Sequence, residues 1–115
     1  MKRKKPTGTG DVKRKRLEAL IEDACVDAHD ESEQAMGFYT WIEENVTFPF
    51  SAQVIGESVM VMSVDLDEEG EALEATCRRK GRDHRVALEE VVWEGEGPVG
   101  AEHIEAYKLW KTGKW

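Results

Sequence analysis

The sequence predicts an α+β fold: N-terminal helices, one long or two short, packed on a small antiparallel SH3-like β-barrel, with a short C-terminal helix. Three observations carry this. Apolar residues recur at helical spacing up to Val46. Phe48-Pro49-Phe50 then ends the helical part, because proline disfavours helix in the residue before it. From Ser51 onward the chain changes to short runs of Val, Ile and Met between turn signals, the period of strands.

Each element follows from local chemistry. MKRKKPTGTG, residues 1–10, is basic and broken by Pro6, Gly8 and Gly10, so it reads as a disordered tail. Residues 11–115 read as one domain. Asp11 is suited to cap a first helix in which Val12, Leu17, Leu20, Ile21, Ala24 and Cys25 fall mostly at helical spacing. Asp30 is suited to cap a second, from about Glu31 to Val46, with Glu33 at the third position completing a capping box. Nothing in Val26 to Asp30 breaks a helix outright, so one continuous helix is the alternative. Ala35, Met36, Phe38, Tyr39, Trp41 and Ile42 make a band broader than one stripe, which predicts burial on two sides.

AQVIGESVMVMSVDL predicts two strands around a turn at Gly56-Glu57-Ser58. LEATCRR and HRVALEEVV predict two more around Lys80-Gly81-Arg82-Asp83. Hairpin connections among such short strands point to a small barrel. EGEGPVG is a linker, and AEHIEAYKLWKTGKW an amphipathic helix with Ile104, Tyr107, Leu109 and Trp110 inward and Trp115 as a last anchor.

Charge is divided unevenly. Met1 to Arg16 holds eight Lys/Arg and one Asp; the other 99 residues hold eight Lys/Arg and 23 Asp/Glu. An acidic body repels phosphates and favours cations or a basic protein partner. Nucleic acid is therefore expected only at the basic N-terminal arm. No segment approaches a membrane span, and no apolar run follows the basic start as in an export signal. Cys25 and Cys77 then read as reduced thiols, so the expectation is a cytoplasmic monomer.

Two stretches carry clustered oxygen donors. Asp27, Asp30, Glu31 and Glu33 either converge in a loop or share a helix face by their spacing. Calcium takes six to eight oxygens in irregular geometry, so such a cluster suits it. A solvated helix face has the same composition. Asp65, Asp67, Glu68, Glu69 and Glu71 form a second acidic loop, an auxiliary metal site or an ordinary soluble hairpin tip. Neither stretch is an EF-hand. Cys25 with His29, and Cys77 with His84, match no zinc-finger spacing. Nucleophile elbow, phosphate-cradling glycine loop and HExxH are all missing, so no enzyme activity is expected.

The stretch VDAHDESEQAMGFYTWIEENVTFPFSA, Val26 to Ala52, resembles the CcbP-like calcium-binding proteins, a family of small acidic bacterial proteins whose pattern runs VDAYDEEERAMGWYYYLEDxLxFPFxA. Asp27-Ala28-x-Asp30, Ala35-Met36-Gly37-aromatic-Tyr39, Glu43 and Phe48-Pro49-Phe50 agree. The resemblance implies Ca2+ binding by surface carboxylates in a cytoplasmic buffer or sensor, with helices joined to a small barrel. Carried over residue by residue, it makes Asp27, Asp30, Glu31 and Glu33 the first metal ligands, with Glu43 and Glu44 next. His29 stands where the pattern has an aromatic residue, and Ser32 interrupts its triple acid. One carboxylate fewer implies a weaker site. The runner-up is a protein–protein interaction module with an acidic face and no metal.

Overall fold

The computed structural model describes residues 9–113, and side chains from Val12 onward. The basic segment up to residue 8 and the anchor expected at Trp115 lie outside the described residues. The element order is α1 (Thr9–Ala24), α2 (Glu31–Asn45), β1 (Phe50–Val54), β2 (Glu57–Leu66), β3 (Leu73–Arg79), β4 (Arg82–Ala87), a 310 turn (Leu88–Glu90) and α3 (Ala101–Thr112). Within this range no helix is long and apolar enough to cross a membrane.

Two helices, not one, precede the sheet. α1 begins at Thr9, two residues before the cap expected at Asp11, and stops at Ala24. Asp27 follows with φ 62°, a left-handed conformation that Asp tolerates better than most residues. Asp30 caps α2 as expected: its Oδ1 accepts from the Glu33 N–H at 2.9 Å. The return contact of the capping box is displaced by one residue. Glu33 Oε1 accepts from the N–H of His29, at 2.5 Å, rather than from that of Asp30. This still occupies a donor left free before the first helical turn.

The four strands form an antiparallel meander in the order β1-β2-β3-β4. The predicted turns are tighter than the sequence suggested. Ile55 and Gly56 have φ 50° and 75°, Lys80 and Gly81 φ 54° and 76°, so both are two-residue hairpins of the type whose twist matches the strands. Glu57, Ser58, Arg82 and Asp83 accordingly sit in strands. The register shifts between Val61 and Ser63, which lets Val61 and Val64 both face the core despite their three-residue spacing.

The closed SH3-like barrel is not formed. β1 and β4 are opposite edges, and the sheet is open between them. The chain leaves β4 through the 310 turn and, among the described residues, returns to β1 only in the single bridge Gln53–Val92, too short a pairing to close a ring.

The core lies between the helices and one face of the sheet. Leu20 and Ile21, Phe38 and Ile42, Val61 and Val64, Leu73, Leu88, Val91, Ile104 and Tyr107 are all essentially buried. α2 is covered on two sides as its broad apolar band predicted, but Met36 is 47% exposed and belongs to the outer surface. Phe38 packs on both Tyr107 and Trp110 of α3, ring centroids 5.6 and 5.2 Å away. The Tyr107 hydroxyl accepts from the Leu73 N–H at 2.8 Å, tying α3 to β3. Burial above all pushes that phenol well above its ordinary range.

α1 is held to α3 by ion pairs, Lys13–Glu105 at 2.9 Å and a two-pronged Arg16–Glu102 contact at 2.9 and 3.3 Å. Hydrogen bonding from Arg16 holds the Glu102 carboxyl below the usual carboxylate range. A carboxylate depressed in the folded state stabilises above its unfolded value and loses that contribution as pH falls through its folded value. The pair is largely solvent-exposed, so the effect is small and salt-sensitive. We expect Glu102→Gln to flatten the fall of melting temperature between pH 5 and about pH 3 in low salt. Thermal melts across that range check it.

Candidate metal centre

The short turn between α1 and α2 depends on one glycine. A Cβ on Gly37 would stand 2.0 Å from the backbone carbonyl oxygen of Ala24. Only glycine lets the end of α1 lie directly on α2. This close approach creates a groove of about 470 Å³ between the two helices, its floor including Ala24, Ala28, Met36 and Gly37. Asp27 and Glu33 both line it.

The predicted ligands do not form a single cluster. Asp27, Asp30, Glu31 and Glu33 are all exposed and fall on the turn and the first turn of α2. Asp27 and Glu33 share the groove. Asp30 is engaged as the helix cap, and one oxygen of Glu33 holds the His29 N–H. Glu31 points to α3, where Lys111 Nζ lies 3.8 Å from its carboxylate. Glu43 and Glu44 stand twelve and thirteen residues further along α2, roughly 18 Å at 1.5 Å per residue. They cannot share an ion with the junction.

Glu43 has a different neighbour. Its carboxylate above all, then partial burial and Asp65 of β2, pushes the Tyr39 phenol above its ordinary value. Both carboxylates thus act on Tyr39, on the side of α2 that meets β2. The rest of the second acidic loop is occupied by turn chemistry. Asp67 Oδ1 accepts from the N–H groups of Glu71 and Ala72 at 3.1 and 3.4 Å, and Gly70 takes φ 73°. Glu74 is paired with Arg85 at 2.8 Å. Cys77 is buried in the core while its cross-strand partner His84 is exposed, and burial raises both thiols above their ordinary value.

Among the described residues, no three His, Cys, Asp or Glu side chains are gathered closely enough to hold a metal ion. The physical reason is repulsion combined with local hydrogen bonding. Exposed like charges splay into water, and the two that do not are held by helix-terminal N–H groups. The donor set still fits a hard, irregularly coordinated cation. Asp27 and Glu33 are exposed on one groove, both are carboxylates, and an unwound turn offers backbone oxygens beside them.

Sequence reasoning missed Gly37 as a packing device and Lys111 as the partner of Glu31. The first had a signal: a glycine inside a strongly periodic helix costs stability unless something needs the space. The second is a contact across 80 positions of sequence, with no local signature.

A family model described as calcium binding matches residues 18–111. Two solved structures resemble the chain. Anabaena CcbP is 20% identical, with TM-score 0.68 over 96% of this chain and 95% of that one. A calcium binding protein in its calcium-binding form is 20% identical, with TM-score 0.67 over 91% of this chain and 93% of that one. At these identities the structures establish likeness of fold. No curated protein matches the chain.

Proposed function

The chain belongs to the CcbP-type calcium-binding family, whose model spans residues 18–111, and from that premise we propose that it binds Ca2+ through the exposed carboxylates of the α1–α2 junction. Asp27 and Glu33 are the central ligands on this reading, because they line one groove. Asp30 and Glu31 complete the charge around it. Glu43, with Asp65, makes a separate and weaker auxiliary position, and Glu44 remains on its outer flank. The observation that carries the reading is the coincidence of the family match with an acidic, unwound turn held open on Gly37.

The role is that of a cytoplasmic buffer or sensor acting as a monomer, without chemistry of its own. Splayed acids suit a buffer. Binding must first gather carboxylates that repel one another, which lowers affinity and favours ready release. The cation then removes that repulsion and stabilises the fold by mass action, about 2.7 kcal/mol at a hundredfold excess over Kd.

Titration calorimetry of chelator-stripped protein tests this. We expect saturable heat with CaCl2 and a melting temperature that rises with calcium. Magnesium, which gives up its waters reluctantly, is expected to do much less. An unchanged melting temperature and no heat at millimolar calcium, with the protein folded, would overturn the assignment.

A further inference from the structure

A cation that reaches the α1–α2 junction meets a positive charge already in place. Lys111, in the last turn of α3, holds its Nζ 3.8 Å from the carboxylate of Glu31. Glu31 shares the first turn of α2 with Glu33. The pair joins two helices that are far apart in sequence.

This ammonium is positioned by the core. The Lys111 side chain is 27% exposed, against 54% for Glu31. Its Nζ stands 5.9 Å from the centre of the Trp110 ring, within cation–π range. Trp110 is fixed in turn. Its Nε1–H donates to Gln34 Oε1 at 3.0 Å, and its ring packs on Phe38 and Tyr107 with centroids 5.2 and 5.7 Å away. Gln34 lies three residues after Glu31, so one side of α2 receives both Trp110 and Lys111. The packing of α2 on α3 thus decides where this charge sits.

On the reading that calcium binds at the junction, we propose that Lys111 is a built-in competitor of the cation. Its ammonium occupies Glu31 in the calcium-free protein and yields it when calcium binds, so that α3 sets the affinity of the junction. Two effects act in the same direction. The ammonium lessens the negative charge that draws a cation in, and it holds one carboxylate away from the ligand set. The same contact relieves repulsion among Asp27, Asp30, Glu31 and Glu33 while no metal is bound. Removing it therefore weakens the empty protein and favours the loaded one.

Calorimetric titration of the full chain with CaCl2 in 0.1 M salt tests this. Lys111→Met keeps an apolar stem beside Trp110 and removes the charge. We expect it to bind calcium about two- to fivefold more tightly, the range of an exposed ion pair. Lys111→Arg keeps a cation and should retain the parent's affinity. Lys13→Met makes the same charge change and also breaks an exposed pair to α3. It stands roughly 16 Å along α1 from Ala24, beyond the Debye length of about 10 Å, and should have the smaller effect. In a Glu31→Gln background Lys111→Met should tighten binding no further.

Thermal melts in chelator give a readout without calcium. Lys111→Met should lower the melting temperature by about 1–4 °C when Glu31 is present and less when it is Gln. Parent-like calcium affinity in Lys111→Met, with heat seen in both proteins, would overturn the competitor and leave the junction site standing. Tightening that Lys13→Met matches, or that persists with Glu31→Gln, would overturn it too, since a diffuse field would then be acting. No calcium heat in either protein would remove the junction site and the competitor with it.

Discussion

Gly37→Ala is expected to destabilise the protein by about 1–3 kcal/mol, the range for forcing a methyl into a filled space. The sign is what makes the experiment informative. In an open helix the same change stabilises by about 1 kcal/mol, because alanine loses less backbone freedom than glycine. Here the new Cβ would lie 2.0 Å from the Ala24 oxygen and 3.1 Å from its carbonyl carbon. The obstacle is backbone at the end of α1, so no side-chain rotation relieves it. α1 must lift away from α2. For a domain of this size the melting temperature should fall by about 4–8 °C per kcal/mol. Lifting α1 also draws Asp27 away from Glu33, so calcium affinity should fall together with stability. A variant as stable as the parent would show that the helices can separate without cost, and the groove would lose its structural basis.

The second large effect is on binding alone. Asp27→Asn with Asp30→Asn should weaken calcium binding more than tenfold while the apo protein melts close to the parent. The choice of asparagine isolates the charge. At position 30 it caps a helix as well as aspartate does. At position 27, where φ is 62°, it is among the few residues that tolerate the left-handed region. Both local structural duties are kept and two carboxylates are removed, and calcium affinity falls with ligand charge. Calorimetry and thermal melts on the same samples provide the two readouts. Undiminished calcium heat would move the site elsewhere, first to the auxiliary position proposed at Glu43. A collapse of the melting temperature would mean that the acids serve the fold.

Much of this molecule was legible locally. Asp30 and Glu33 marked the start of α2 because capping is a property of a few consecutive residues, and the helix runs Glu31–Asn45 against an expected end at Val46. LEATCRR is β3 to the residue, since alternation and a following Lys-Gly turn are both local signals. The barrel was over-read: short hairpins recommend curvature, yet closure depends on an edge-to-edge pairing that no local pattern encodes, and here it stops at Gln53–Val92.

By itself, then, the sequence determined the two-part architecture, the caps, the hairpins and the acidic motif that carries the family likeness, because each depends on neighbours a few residues apart. Tertiary structure alone decided that the helices separate at Asp27, that Gly37 seats one on the other, and that the six acids divide between two places. Those outcomes depend on which distant backbones and charges meet, and that is settled only when the core closes.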